Sequence, residues 1–296
     1  MKRLFLGLLF LTFLFTSCSN DDNGGNVITT ADLTLNLNGL EDLGSGFAYE
    51  GWLIVNATPV STGVFTVNEA GVLSRTIFPT TISDLAAATK FVLSIEPSPD
   101  NDPLPSDQKL LAGDFTGDMA LVSTGVAPAV GDFSGATGSF FLRSPTDEMG
   151  GVNNGNDENG VWFGVPGAPP TPDFTLPELP AGWIYEGWVV VDGVGPITTG
   201  KFTMFNKVDD FDGYSGASPG PPIPGEDFFA NAPVGFIFPL DIRNRTIVIS
   251  IEPIPDNSPA PFLLKPLLGT AGMDTAPTTY PFAYNGASFP TGSVTR

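Results

Sequence analysis

The sequence predicts an all-β protein, two tandem antiparallel β-sandwich domains placed after a lipoprotein signal peptide. Three observations carry this. Hydrophobic residues alternate with polar ones at a period of two along several segments. One pair of motif blocks occurs twice in the chain. Gly and Pro together supply 35 and 29 of 296 residues, a density of chain punctuation that suits many short strands joined by turns.

The amino terminus comes first. Lys2 and Arg3 precede an apolar run from Leu4 to Phe15, broken only by Gly7 and Thr12. A short basic segment followed by an apolar stretch too short to span a bilayer is the grammar of a secretion signal. Thr16 and Ser17 then lead to Cys18, an order that resembles a lipobox, in which Cys18 would carry a thioether-linked diacylglycerol and begin the mature chain. Cys18 is the one cysteine present, so no disulfide can form within a monomer. Residues 1–17 are read as the signal peptide and 18–28 as a lipidated flexible tether. Its Ser19-Asn20-Asp21-Asp22 start resembles the export tags of Bacteroidetes surface lipoproteins. The expected location is the outer membrane or cell surface, with a periplasm-facing position as the alternative.

The repeat organises the rest. Tyr49-Glu50-Gly51-Trp52 returns as Tyr185-Glu186-Gly187-Trp188, each followed by an aliphatic run. Ser94-Ile95-Glu96-Pro97 returns as Ser250-Ile251-Glu252-Pro253, and the register holds through Pro99-Asp100-Asn101 and Pro255-Asp256-Asn257. Residues 29–148 form copy one, 149–172 a linker or shared strand, and 173–296 copy two. Leu33, Leu35 and Leu37 alternate with Thr34, Asn36 and Asn38, and Phe91, Leu93 and Ile95 alternate with Val92, Ser94 and Glu96. Ile247, Ile249 and Ile251 keep the same phase, and all three runs read as half-buried strands. Further strands are expected near 46–55, 63–67, 109–115 and 138–143, then 182–191, 200–205 and 264–268. Ser83–Lys90 reads as the one helix, with Ser83 as its N-cap.

Composition removes several kinds of chemistry. There is no histidine, and the only thiol is assigned to lipid, so Ser-His-Asp or Cys-His catalysis and His- or Cys-ligated metals drop out. Loss of Lys2 and Arg3 leaves 10 basic residues against 32 acidic ones, a net charge of −22. A field of that sign repels nucleic-acid phosphates, which are not expected as partners. No cofactor is expected.

An aromatic-x-x-Trp strand, a Gly-Phe strand and a Ser-x-Glu-Pro strand end before a Pro-rich loop resemble the extracytoplasmic domain of anti-sigma-K factors. Here the carriers are Tyr49, Trp52, Gly63, Phe65, Ser94, Glu96, Pro97, Pro103 and Pro105, with their partners in copy two. The likeness spans roughly 47–113 and 183–269. It implies the β fold of that domain. It is not expected to carry over direct binding of a cytoplasmic sigma factor, because this chain reads as secreted, with no cytoplasmic domain expected.

The expected function is that of a non-enzymatic, membrane-anchored lipoprotein that binds or senses an extracytoplasmic protein, peptide or glycan. Trp52 and Trp188 are read as core. The candidate ligand-facing loops hold Glu96, Asp100 and Asn101 in copy one and Glu252, Asp256 and Asn257 in copy two. Glu96 and Glu252 have a competing structural role, accepting hydrogen bonds that pin the Pro-rich turns. Asp209, Asp210 and Asp212 are weak calcium candidates, in an extra loop that copy two carries between Phe205 and Phe238. The alternatives are a carboxylate-dependent glycan hydrolase and a purely structural spacer in the envelope.

Overall fold

A computed structural model describes residues 29–256 and 258–296. Cys18, the signal, the tether and Asn257 lie outside the described residues. The fold is all-β and antiparallel. The first half runs β1 (Thr30–Asn38), β2 (Phe47–Val55), β3 (Thr58–Phe65), β4 (Ile77–Thr81), a short helix α1 (Ile82–Ala87), β5 (Ala88–Pro97), β6 (Lys109–Thr116), β7 (Met119–Ser123) and β8 (Thr137–Leu142). The second runs β9 (Gly160–Phe163), β10 (Phe174–Thr175), β11 (Trp183–Val191), β12 (Gly195–Phe202), β13 (Gly225–Asp227), β14 (Thr246–Pro253), β15 (Leu267–Thr270), β16 (Tyr280–Pro281), β17 (Ala283–Tyr284) and β18 (Thr291–Thr295).

The strands with the clearest alternation are the central ones. β2 pairs with β5 and β11 pairs with β14 along almost their whole lengths. Tyr49, Leu53, Phe91, Leu93 and Ile95 point into the main core, and Trp52 and Val92 pack on the other face beneath Ala129 and Val126. Covering both faces explains why these strands are almost continuously buried. Two details differ from the sequence reading. α1 begins one residue before Ser83 and stops at Ala87, because Ala88 and Lys90 are drawn into β5, paired with Val55 and Ile54 of β2. β4 contains Pro79 and was not expected. It pairs only with β1, an edge position where a missing N–H costs little.

The sheet order shows an exchange between the copies. The first sheet runs β3-β2-β5-β6-β7-β18-β1-β4, with the chain's last strand between β7 and β1. The second half has one sheet in the order β12-β11-β14-β15-β17 and another in the order β10-β8-β9-β13, with β16 also on β8. Thr137-Gly138-Ser139 opens β8 and Thr291-Gly292-Ser293 opens β18, so these are the same strand of the two copies. Each sits among strands of the other half. β8 pairs with β9, β10 and β16, and β18 pairs with β1 and β7. The shared glycine is where a neighbour comes closest. A Cβ on Gly292 would lie 2.9 Å from the Leu37 Cα, and one on Gly138 would collide with the Phe174 ring, whose Cε1 is 2.7 Å away.

The boundaries read from sequence therefore divide the chain differently from the sheets. β8 falls within 29–148 yet belongs to the second half's sheets, and β18 falls within 173–296 yet completes the first. The 149–172 segment contains β9, a paired strand inside the second layer. Just before it, buried Thr146 donates its N–H and its hydroxyl to Asp227 Oδ2 at 2.8 and 2.6 Å. One hydrophobic cluster runs from Leu33 to Val294 and takes in both halves.

Candidate functional site

Strand pairing explains why the two repeated blocks go together. Glu50 lies opposite Ser94 across β2 and β5, and Glu186 lies opposite Ser250 across β11 and β14. Alternation then puts Glu50, Trp52, Ser94 and Glu96 on one face, with Glu186, Trp188, Ser250 and Glu252 as their equivalents. Trp52 Nε1–H donates to Ser94 Oγ at 2.8 Å, Ser94 donates to Glu96, and Glu96 accepts the Ser106 N–H at 2.9 Å. Copy two repeats the relay. Trp188 donates to Ser250 at 2.8 Å, Ser250 donates to Glu252, and Glu252 accepts the Phe262 N–H at 3.0 Å.

Glu96 and Glu252 are 2% and 0% exposed, so neither projects from its loop toward a ligand in solvent. The inward phase of the strand and the returning loop amide hold them inside. Of the other loop positions, Asp100 and Asp256 are half-buried and Asn101 is exposed. Each of the two aspartates accepts a backbone N–H two residues on, from Asp102 and Ser258, at 2.8 Å. Asp209, Asp210 and Asp212 do not converge on one point. Asp209 accepts the N–H groups of Phe211 and Gly225, Asp210 accepts that of Lys201, and Asp212 is exposed. Each buried oxygen there already serves its own loop.

The two Pro-rich loops meet across the copies and enclose a cavity of about 380 Å³. Its walls are mostly apolar, from Leu43, Phe47, Ile95 and Pro97 in copy one and Pro253, Ile254, Pro255 and Phe262 in copy two. Glu41, Asp42, Gln108, Glu252 and Asp256 are the larger polar groups in the lining. Gln108 Nε2 donates to the Ile254 carbonyl and so ties one wall to the other. Burial pushes the Glu41 carboxyl up to about 7, partly opposed by Lys265. Burial also raises Glu252 to about 7 against its hydrogen bond from Ser250. Lys265 is pushed down by burial, with Glu41 and Glu252 pulling the other way.

Beside this cavity Glu186, Glu252 and Asp256 each present an oxygen, all within 4.8 Å of one another. Among the described residues no other three acidic side chains approach so closely. Lys201 Nζ lies 3.0 Å from Asp256 Oδ2 and 3.9 Å from Glu186 Oε2. Thr198 donates to Glu186 Oε1 at 2.5 Å, and burial raises the Glu186 carboxyl to about 8. Sequence reasoning picked out Glu252 and Asp256 but missed Glu41, Phe47, Gln108, Glu186 and Lys201 as site residues. A usable signal lay where the copies diverge, with Ser106 answered by Phe262, Gln108 by Leu264 and Val64 by Lys201.

Comparison with known proteins gives no match to any family model, to any curated protein or to any solved structure.

Proposed function

We propose that this chain is a non-enzymatic, lipid-anchored envelope protein whose two anti-sigma-K-factor-like copies form one shared binding site. The site is the cavity between their Pro-rich loops, and its ligand is a segment of an extracytoplasmic peptide, glycan or protein. The cavity carries the reading. Apolar walls with a few converging polar groups, at a junction between two structural units, are the usual make-up of a ligand pocket. Because both copies contribute walls, the molecule offers a single site there, and not one per copy.

The test is capture of partners from intact cell envelope by the full-length protein in detergent. Ile254→Trp, at an exposed wall position, should fill the cavity and abolish capture, and Phe47→Ala should weaken it. Capture that both variants leave intact, but that Asp100→Ala with Asn101→Ala removes, would move the site to the open loop of copy one. Lipid anchoring is tested separately by labelling with radioactive palmitate, which Cys18→Ser should abolish.

Carboxylate-dependent hydrolysis of a glycan has one observation in its favour, the approach of Glu252 and Asp256 within 4.8 Å. Against it, Glu252 already accepts from Ser250 and from the Phe262 N–H with both oxygens. A general acid needs a proton free to leave toward the substrate. Glycan cleavage that Glu252→Gln eliminates, with the fold unchanged, would reverse this preference.

A further inference from the structure

We propose that Glu186, Glu252 and Asp256 form a binding site for a hard divalent cation, calcium in the first instance, which the Lys201 ammonium occupies when the ion is away. The inference concerns copy two alone and does not depend on what fills the neighbouring cavity.

Four observations lead to it. Glu186 is 4% exposed, and its Oε2 has no hydrogen-bond partner, while its Oε1 takes the Thr198 hydroxyl. A buried carboxylate oxygen left unpaired is costly unless a cation meets it. Next, Asp256 turns two oxygens toward the same point, with Oδ2 at 3.0 Å and the main-chain carbonyl at 3.4 Å from Lys201 Nζ. Carboxylates joined by a backbone carbonyl, with no sulfur or nitrogen ligand, make the oxygen set of a hard cation.

The ammonium also fits the place poorly. An ammonium has three donors, and of the three oxygens around Nζ only Asp256 Oδ2 is at ordinary hydrogen-bond distance. A divalent ion has no directional requirement and would draw in the Glu186 and Glu252 oxygens together. With all three carboxylates ionised, it would also leave one unit less of negative charge among them than the ammonium does.

Lastly, the copies differ where they should. Val64 stands in copy one at the position of Lys201 and is exposed, and Glu50, Glu96 and Asp100 form no comparable group. The lysine is therefore tied to the tighter acidic cluster. Its side chain is partly exposed, and Glu252 and Asp256 border the cavity, through which water can complete the ion's shell.

The experiment is calorimetric titration of the full-length protein in detergent with calcium chloride, with magnesium chloride as comparison, alongside thermal unfolding. One equivalent of calcium should bind and raise the unfolding temperature. Glu186→Gln and Asp256→Asn should each weaken binding by about tenfold or more. Lys201→Met should tighten it by about tenfold, since no ammonium has to be displaced. Asp212→Asn is the control and should change nothing. Absence of stoichiometric calcium binding to both wild type and folded Lys201→Met overturns the proposal. So does wild-type affinity in Glu186→Gln and Asp256→Asn, which would assign the ion to another acidic surface. If Lys201→Met does not fold, the comparison of wild type with Glu186→Gln decides the matter.

Discussion

Trp52 donates its indole N–H to the Ser94 hydroxyl at 2.8 Å, and 136 residues on Trp188 does the same to Ser250 at the same distance. The hydroxyl is the middle of a buried chain that ends on a loop amide. Ser94→Ala leaves an indole N–H without an acceptor and takes one donor from a buried glutamate. A loss of about 1–3 kcal/mol is expected, as for a buried group left unsatisfied. Ser250→Ala should cost a similar amount, and the double variant should lose the sum within about 0.5 kcal/mol, because the relays share no partner. Urea unfolding of the three variants measures this. Strong non-additivity would mean that the relays communicate through the shared core.

The exchanged strands are expected to make the copies unfold as one cooperative unit. β18 lies between β1 and β7, and Arg296 fastens its end. The Arg296 guanidinium donates to the Leu85, Ala88 and Gly117 carbonyls at 2.5, 2.6 and 3.0 Å and lies 4.4 Å from the Phe115 ring centre. Removing 291–296 would expose two strand edges in the middle of the first sheet. The unfolding temperature should fall by about 10 °C or more, and Arg296→Ala alone should lower it by about 2–4 °C. Fluorescence of variants keeping only Trp52 or only Trp188 should report the same midpoint in the intact chain. Separate midpoints would show that the halves unfold independently despite the exchange.

How much of this was legible depends on what each residue was asked to reveal. β2, β5, β11 and β14 were readable because their alternation is long and they recur as blocks. β7 and β13 are five and three residues long, with too few positions to establish a period. The Thr-Gly-Ser strands show a different limit. Their local pattern marks β8 as a strand, but nothing local says that it will join β9, β10 and β16 instead of β1 and β7. The site divides in the same way. Glu96 and Glu252 stood out because a glutamate ends an apolar strand before proline. The cavity did not, because Phe47, Gln108 and Ile254 become neighbours only when the two copies meet.

Gly51 and Gly187 test how tightly neighbouring strands and, at Gly187, neighbouring sheets touch. A Cβ on Gly51 would lie 2.6 Å from Thr62 Oγ1 and 3.0 Å from the Phe91 ring. On Gly187 it would lie 2.5 Å from the ring of Phe163, which belongs to β9 in another sheet. Phe163 is packed against Phe174, Phe202 and Phe282 and has little room to move. Alanine at either site should destabilise by about 1–3 kcal/mol, with Gly187→Ala the worse of the two. Chemical denaturation of both variants gives the order. A milder Gly187→Ala would mean that the aromatic cluster yields more easily than its packing suggests.

The acidic groups of the copy-two insertion give the chain a pH dependence of definite sign. Burial raises Glu226 to about 8, Asp227 to about 7 and Asp209 to about 7, each against hydrogen bonds that pull it down. In the unfolded chain such carboxyls return to about 4. Between these values the unfolded state has released its protons and the folded state still holds them. Stability from these groups is thus complete below about pH 4 and is lost progressively as pH rises toward 8. The repulsion of a chain carrying −20 adds in the same direction near neutrality. The unfolding temperature should therefore fall from pH 5 to pH 8.5, by something on the order of 5 °C. Glu226→Gln keeps a neutral side chain of the same shape on Ser215, so its curve should be flatter and should cross above the wild type at high pH. A parallel curve for Glu226→Gln would show that Glu226 is ionised in the folded protein, with its hydrogen bonds from Ser215 and the Tyr214 and Asp227 amides outweighing burial.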